Sequence, residues 1–186
     1  PSDKGIVLLH ADDVIRLDAE GRPDAGVAQH PLTAVTHVLP LAKRQRAAWF
    51  GGGIEFVLPV TADIGALLRG DLVLAALDDA GRVQTMTRVQ HAAALDDRYA
   101  AALDAPLGAM ANPEATTFAL WAPTAQFVAI CVFDDGDSRA RSTRTLDRDA
   151  VSGVWSARLP DASIGSYYSY LVDVFVPGLG LVRNRV

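Results

Sequence analysis

One stretch of the sequence, Thr117–Phe133, constrains the fold of this chain more than any other. Its letters, TFALWAPTAQFVAICVF, place a short apolar strand, Thr117–Ala122, directly before a Pro123-Thr124 turn. A second strand, Gln126–Phe133, follows the turn and is rich in Val, Ile and Phe. Because the connection is so short, the two strands must come together in space, and the stretch predicts the beginning of a β-sandwich.

The composition and charge of the chain exclude several kinds of protein. At 186 residues, 50% of them hydrophobic, the chain is long enough for one large domain or two small ones. Its 17 basic and 22 acidic residues give a net charge of −5, which argues against a nucleic-acid partner. No apolar run approaches the ~20 residues of a membrane span, so no span is predicted. The single cysteine, Cys131, cannot form an internal disulfide, and its place in an apolar strand predicts a buried side chain.

Short strands separated by turns account for most of the first half of the chain. The candidate strands are Gly5–His10, Val14–Leu17, Thr36–Leu41, Ile54–Leu58, Leu72–Leu77 and Arg82–Gln90. Two four-residue stretches, Asp18–Gly21 and Asp78–Gly81, begin with Asp and end with Gly, and they are predicted to form turns between strands. Alternation from Val83 onward predicts that the last strand is half-buried. One helical turn, Ile64–Arg69, interrupts the pattern.

A longer helix is predicted in the middle of the chain, at Ala92–Leu103. Leu95, Tyr99 and Leu103 recur at intervals of four and predict an apolar face that packs between two modules. Further strands are predicted at Val154–Leu159, Tyr167–Val176 and Leu181–Val186. The predicted fold class is therefore mainly β, with two β-sandwich-like domains joined by a short helix. The predicted bounds are residues 1–91 for the first domain, 92–111 for the helical linker and 112–186 for the second domain, which stops before its last strand is complete.

Four stretches resemble the immunoglobulin-like (early-set) module of pullulanases, the α-1,6-glucan debranching enzymes of the α-amylase superfamily. They are Leu95–Ala100, Trp121–Gln126 with the letters WAPTAQ, Ser152–Trp155 and Gly165–Tyr170. They follow one another in the order expected for that module, a carbohydrate-binding-like domain of the isoamylase N-terminal type. The first domain resembles, less closely, the N-terminal β-domain that precedes this module in the larger bacterial pullulanases.

The resemblance implies a non-catalytic accessory region of a bacterial enzyme that cleaves α-1,6-glucosidic bonds. Its first partner would be a C-terminal (β/α)₈ barrel that carries the catalytic carboxylates, and α-glucan such as starch, pullulan or glycogen is the second candidate partner. The resemblance also implies a secreted or periplasmic location. We expect a piece of a longer protein, inactive alone, because the chain opens at Pro1 and stops at Val186 inside an apparent strand. Two alternatives stay open: a free-standing α-glucan-binding protein and a β-sandwich protein-interaction module.

Aromatic side chains are the candidates for sugar contact, because the C–H faces of pyranose rings stack on exposed aromatic rings. Trp49 and Phe50, beside a turn of three glycines, are the predicted carbohydrate-binding residues. Trp121 and Trp155 lie in apolar strands and are both predicted to pack in the core. Glycogen-binding relatives of the second module carry aromatic residues in two loops. The corresponding loops of this chain, Asp134–Asp137 and Pro177–Gly180, contain none. This departure predicts weak or no glucan affinity for the second module.

The remaining motifs indicate neither catalysis nor metal binding. The Asp134–Asp137 run lacks the alternating ligands and distal Glu of a calcium loop and is predicted to be a solvated hairpin tip. The four histidines, His10, His30, His37 and His91, show no ligand spacing. No G-x-S-x-G elbow supports a catalytic triad. The sequence therefore predicts no catalytic residue, no metal site and no cofactor.

Overall fold

The computed structural model describes residues 5–35, 53–59 and 61–186. The chain divides into two compact units. The second unit contains Gln90–Val186 together with two segments from the first half of the chain, Ala11–Val14 and Ile64–Asp71. The other described residues belong to the first unit. Strands account for most of the regular structure, which confirms the predicted mainly β fold.

The first unit is built on a four-stranded sheet and a smaller strand pair. The sheet contains β1 (Ile6–Ala11), β2 (Ala28–Pro31), β5 (Asp71–Leu77) and β6 (Val83–Arg88), in the order β2-β1-β5-β6. The antiparallel pair joins β3 (Thr33–Val35) to β4 (Glu55–Val57). The core of this unit is a cluster of aliphatic side chains, Val7, Leu9, Val27, Val73 and Ala75.

Two strand predictions for the first unit are wrong. Val14–Leu17 forms no strand, and Leu17 makes an isolated bridge to Pro23 instead. Alternation predicts a half-buried β6, yet the residues after Val83 in this edge strand are exposed on both of its faces. The strand predicted at Thr36–Leu41 lies outside the described residues.

Aspartate side chains build the two turns that the sequence predicts in the first unit. Asp78 Oδ1 accepts hydrogen bonds from the main-chain N–H groups of Ala80 and Arg82, both at 2.9 Å. These bonds, with that from Arg82 the largest cause, hold the pKa of Asp78 below its usual value. In the earlier turn, Asp18 Oδ1 likewise accepts hydrogen bonds from the main-chain N–H groups of Glu20 and Arg22.

The second unit is a β-sandwich of two antiparallel four-stranded sheets. Its strands are β7 (Gly108–Ala111), β8 (Thr116–Trp121), β9 (Ala125–Phe133), β10 (Ser142–Thr145), β11 (Asp147–Arg148), β12 (Val154–Leu159), β13 (Tyr167–Val176) and β14 (Gly180–Arg185). One sheet has the order β10-β9-β13-β14 and the other β11-β12-β8-β7. The core between the sheets is formed by side chains from both, including Phe118, Val128, Ile130, Val132, Trp155 and Leu159. The predicted beginning of a sandwich is thus confirmed, with β8 and β9 in opposite sheets.

The described helices are short. They are α1 (Ile64–Leu67), α2 (Ala92–Arg98) and a 3₁₀ turn at Ala100–Ala102. Within the part of the chain that the structure describes, none is long and apolar enough to span a bilayer.

The prediction of one helix over Ala92–Leu103 is wrong beyond Arg98. Tyr99 is buried, with 2% of its surface exposed, but Leu103 is 87% exposed, so Leu95, Tyr99 and Leu103 do not share an apolar face. A 3₁₀ turn has about three residues per turn instead of about 3.6, which rotates Leu103 away from that face. Residues 108–111 of the expected linker form β7. The domain bounds themselves stay a prediction.

Candidate functional site

The predicted carbohydrate-binding pair, Trp49 and Phe50, lies outside the described residues, and its role stays a prediction. A sugar-contacting surface in the described part of the chain needs an exposed aromatic ring. Trp121, Tyr167 and Tyr168 meet that condition, and Trp121 is the largest of them.

Trp121 is the last residue of β8 and is 40% exposed. The prediction that it packs in the core is wrong. Side chains alternate along a strand, and Phe118 and Leu120 take the core side of β8, which directs Trp121 to the opposite face. The indole N–H donates a hydrogen bond to the main-chain oxygen of Ser152 at 3.0 Å. This bond holds the ring against the turn before β12 while part of its surface stays open to solvent.

Trp155 occupies the opposite environment. It is 7% exposed and belongs to the core cluster, which confirms its predicted packing. Its indole N–H donates to the main-chain oxygen of Ala122 at 2.9 Å. The two hydrogen bonds are therefore reciprocal. Trp121 of β8 donates to Ser152, just before β12, and Trp155 of β12 donates to Ala122, just after β8.

Tyr99, the residue that directly follows α2, is the centre of a packed polar cluster in the same region. Arg148 donates to the Tyr99 hydroxyl at 2.7 Å, and it also donates to the main-chain oxygen of Pro123 at 3.4 Å. The guanidinium carbons of Arg98 and Arg148 lie 5.1 and 5.5 Å from the centre of the Tyr99 ring, within cation–π range. The Leu95–Ala100 and WAPTAQ stretches therefore meet around Tyr99 in a packing contact.

Gly153 packs closely against Pro123 and Tyr99 of this cluster. Its φ is +70°, a conformation that side-chain-bearing residues rarely adopt. A Cβ atom there would lie 2.8 Å from Pro123 Cβ and 3.1 Å from Tyr99 Cδ1. Close packing therefore requires glycine here, which gives the third motif stretch, Ser152–Trp155, a structural role.

The acidic run Asp134–Asp137 forms an exposed tip between β9 and β10, as predicted. Asp135 Oδ1 accepts hydrogen bonds from the N–H groups of Asp137 at 3.0 Å and Ser138 at 2.7 Å. Asp134 forms an ion pair with Arg141. The carboxylates thus build the turn itself. Across residues 5–35, 53–59 and 61–186, no three His, Cys, Asp or Glu side chains cluster closely enough to hold a metal ion.

Two carboxylates of the second unit are held in their ionised form. The hydroxyl of Ser152, followed by the N–H groups of Val151 and Ser152, keeps the pKa of Asp149 below its ordinary value. Arg183 binds both carboxylate oxygens of Asp173, at 2.6 and 2.7 Å, and so lowers the pKa of Asp173. Glycoside hydrolysis needs a carboxylic acid whose pKa is raised. Both groups are shifted in the opposite direction.

Arginine side chains cover aromatic rings on the outer face of the β10-β9-β13-β14 sheet. The guanidinium carbon of Arg183 lies 5.3 Å from the centre of the Phe127 ring, and that of Arg185 lies 4.9 Å from the centre of the Phe133 ring. Cys131, between the two rings on the same face, is 8% exposed, which confirms its predicted burial. Ring faces occupied in this way are not open stacking surfaces for a sugar.

The tyrosines at the start of β13 divide between surface and core. Tyr167 is 58% exposed and Tyr168 is 43% exposed. Tyr168 packs edge-on against Phe118 and Tyr170, with ring centres 5.0 and 5.7 Å apart. Tyr170 is 7% exposed, and this burial, with a smaller effect of Tyr168, raises the pKa of its hydroxyl to about 12.

Two protein-family models match the chain, one after the other. The model of the pullulanase N2 domain matches residues 3–97. The model of carbohydrate-binding module 48, the isoamylase N-terminal domain, matches residues 106–181.

Individual relatives agree with these matches. The chain is 37% identical over 176 residues to a pullulanase of Klebsiella pneumoniae, a match that covers 94% of the chain and 16% of the relative. It is 34% identical over 123 residues to a chloroplastic pullulanase of Arabidopsis thaliana, covering 66% of the chain and 12% of the relative. The chain thus spans less than a fifth of the length of either relative.

Solved structures show the same similarity in three dimensions. A crystal structure of the maltotriose complex of a mutant PulA from Klebsiella pneumoniae superposes with a TM-score of 0.85 at 29% identity, over 98% of this chain and 20% of that one. PulA from Klebsiella oxytoca gives a TM-score of 0.84 at 30% identity, over 100% of this chain and 17% of that one. With a matched domain model over half of its length, the chain belongs to the pullulanase N2 domain family, and a carbohydrate-binding module 48 follows that domain.

Proposed function

We propose that this chain serves as the non-catalytic accessory region of a pullulanase-type debranching enzyme. The observation that carries the proposal is the order of its two domains, a pullulanase N2 domain followed directly by a carbohydrate-binding module 48. The chain matches the Klebsiella pneumoniae pullulanase over 94% of its own length. In this proposal the two domains support a separate catalytic (β/α)₈ barrel that cleaves α-1,6-glucosidic bonds. Secretion or transport to the periplasm belongs to the same proposal.

The first test is hydrolytic activity. We expect the isolated chain to release no reducing sugar from pullulan, starch or a chromogenic α-glucoside, because glycoside hydrolysis needs two carboxylates at a defined separation and the proposal assigns both to the separate barrel. Reducing-sugar release that co-purifies with the chain and is absent from a heat-killed control would overturn the proposal.

Direct contact with α-glucan is the second part of the proposal, and Trp121 supports it. The ring is 40% exposed, and the bond from its N–H to Ser152 removes much of the freedom that a sugar would otherwise have to restrict. An indole face fixed in this way offers an apolar surface to the C–H face of a glucose unit. Trp49 and Phe50 are a second candidate position, proposed from the sequence.

Titration with maltoheptaose separates the two positions. We expect saturable binding with a dissociation constant of about 1 mM, a free energy of about −4 kcal/mol, as is typical of a single stacking surface. Calorimetry of Trp121→Ala should show this binding lost, whereas Tyr167→Ala, which removes an exposed ring elsewhere on the second unit, should retain it. Loss of binding in Trp49→Ala with full binding in Trp121→Ala would assign the site to Trp49. No saturation up to about 10 mM would leave the chain with the supporting role alone.

A further inference from the structure

The side chain of Gln126, the second residue of β9, binds two distant parts of the chain. Its Nε2 donates hydrogen bonds to the main-chain oxygens of Asp12 at 2.5 Å and Arg69 at 3.0 Å. Gln126 is separated along the chain by 114 residues from Asp12 and by 57 from Arg69. A side-chain amide has two N–H donors, and both are used here.

A second contact of the same kind occurs at the start of β14. Asp13 Oδ1 accepts a hydrogen bond from the N–H of Leu181 at 2.9 Å, across 168 residues of sequence. Gly180 has a φ of +84°, and a Cβ atom there would collide with the Asp13 carboxylate and lie 3.3 Å from Val14 Cγ2. Asp13 and Val14 therefore occupy space that any residue larger than glycine at position 180 would need.

The segment around Arg69 is buried as well as hydrogen-bonded. Leu67 and Leu68 are each 4% exposed, and Asp71 is 2% exposed. This segment, Ile64–Asp71, contains α1 and belongs to the second unit, like Ala11–Val14. Both segments precede the part of the chain that matches carbohydrate-binding module 48, which begins at residue 106.

We infer that Gln126, Gly180 and Leu181 form an interaction surface of the second unit whose partner is this chain's own pair of segments, Ala11–Val14 and Ile64–Asp71. The sandwich is completed by these segments. A module excised at residues 106–181 lacks all three hydrogen-bond partners of this surface. The inference is independent of the proposed glucan contact at Trp121, because Trp121 takes no part in these hydrogen bonds.

Hydrogen exchange on the intact chain tests the inference through Gln126. In Gln126→Ala, amide exchange in both segments should accelerate about tenfold, as expected when a pair of hydrogen bonds is lost. The matched control is Gln84→Ala, which removes an exposed amide that bonds Asp78 within the first unit at 3.2 Å. The control should leave exchange in both segments unchanged within about twofold. Unchanged exchange in both segments of Gln126→Ala would overturn the inference.

A second pair of variants keeps the test decisive if Gln126→Ala fails to fold. Asp13→Asn retains an oxygen that can accept the Leu181 N–H, whereas Asp13→Ala removes it. We expect the Leu181 amide to exchange at least about fivefold faster in Asp13→Ala and within about twofold of the parent rate in Asp13→Asn. Equal rates for the two variants would show that the carboxylate does not hold β14, and the inference would fail.

Discussion

Arg148 and Tyr99 are joined in two ways. The guanidinium group donates a hydrogen bond to the tyrosine hydroxyl at 2.7 Å, and its central carbon lies 5.5 Å from the centre of the same ring. Arg148 belongs to β11, whereas Tyr99 directly follows α2, 49 residues earlier. The pair therefore fixes the end of the helix to the sandwich, and it does so with a charged donor, the stronger kind of hydrogen bond.

Tyr99→Phe should destabilise the chain although it removes a single oxygen atom. The ring stays in place, but the charged donor Arg148 loses an acceptor in a site where Tyr99 is 2% exposed. We expect a loss of about 1.5–3 kcal/mol in the free energy of unfolding, the usual value for a hydrogen bond to a charged group. Urea unfolding followed by circular dichroism measures it. Tyr167→Phe, at a position that is 58% exposed, is the control and should change stability by less than about 0.5 kcal/mol.

Gly153→Ala should cost more than Gly81→Ala. Both glycines have positive φ, +70° and +76°, so both substitutions carry the backbone penalty of about 1 kcal/mol. A Cβ at Gly81 meets open space, whereas at Gly153 it meets Pro123 Cβ at 2.8 Å. We expect Gly153→Ala to lose at least about 2 kcal/mol more than Gly81→Ala because of this overlap. Comparable unfolding midpoints for the two variants would contradict the packing role of Gly153.

Local sequence predicts the five longest strands of the second unit but misses β7, β10 and β11, and it predicts the direction of Trp121 wrongly. Strand periodicity places Phe118 and Leu120 on one face, so the same periodicity puts Trp121 on the other. Hydrophobicity alone predicts burial of all three residues, but strand alternation directs only Phe118 and Leu120 to the core and leaves Trp121 partly exposed. The end of α2 was missed for a related reason: helical periodicity continues to Leu103 in the sequence, while the chain changes to a 3₁₀ turn after Tyr99.

Contacts across long stretches of sequence could not be predicted at all. Gln126 looks like any polar residue at the start of a strand, and its partners are main-chain oxygens that carry no sequence signal. Asp13 likewise lies between two predicted strands, Gly5–His10 and Val14–Leu17, and nothing in the sequence indicates its contact with Leu181. The sequence predicts Trp121 to pack in the core, and its exposure is evident only in the folded strand.

Trp155→Ala should destabilise the chain more than Trp121→Ala. Trp155 is 7% exposed and packs in the core, so its truncation should cost about 3–5 kcal/mol. Trp121 is 40% exposed, and its loss should cost about 1–2 kcal/mol, chiefly through the hydrogen bond to Ser152. Chemical unfolding of both variants measures the difference. If Trp121→Ala proved the more damaging of the two, the assignment of Trp121 to the surface would be wrong.

Asp149 should make the stability of the chain depend on pH in the acid range. Its pKa is lowered in the folded state, mainly by the Ser152 hydroxyl. The stabilisation is therefore complete above the unfolded pKa of about 3.9 and is lost as the pH falls through the folded value. Asp149→Asn should flatten the decline of the urea midpoint below about pH 4 relative to the parent chain. Identical acid profiles for Asp149→Asn and the parent chain would argue against this role.

Tyr170→Phe should have the opposite consequence from Tyr99→Phe. The Tyr170 hydroxyl is buried and has no hydrogen-bond partner among the described protein atoms, so its removal relieves a desolvated polar group. We expect stability at neutral pH to be unchanged or higher by up to about 1 kcal/mol. The raised pKa, about 12, means that burial favours the neutral phenol, so this contribution is present below the unfolded value of about 10 and is lost as the pH rises through 12. Tyr170→Phe should therefore reduce the alkaline decline of the unfolding midpoint between those two values. A loss at neutral pH as large as that of Tyr99→Phe would show that the Tyr170 hydroxyl does have a partner.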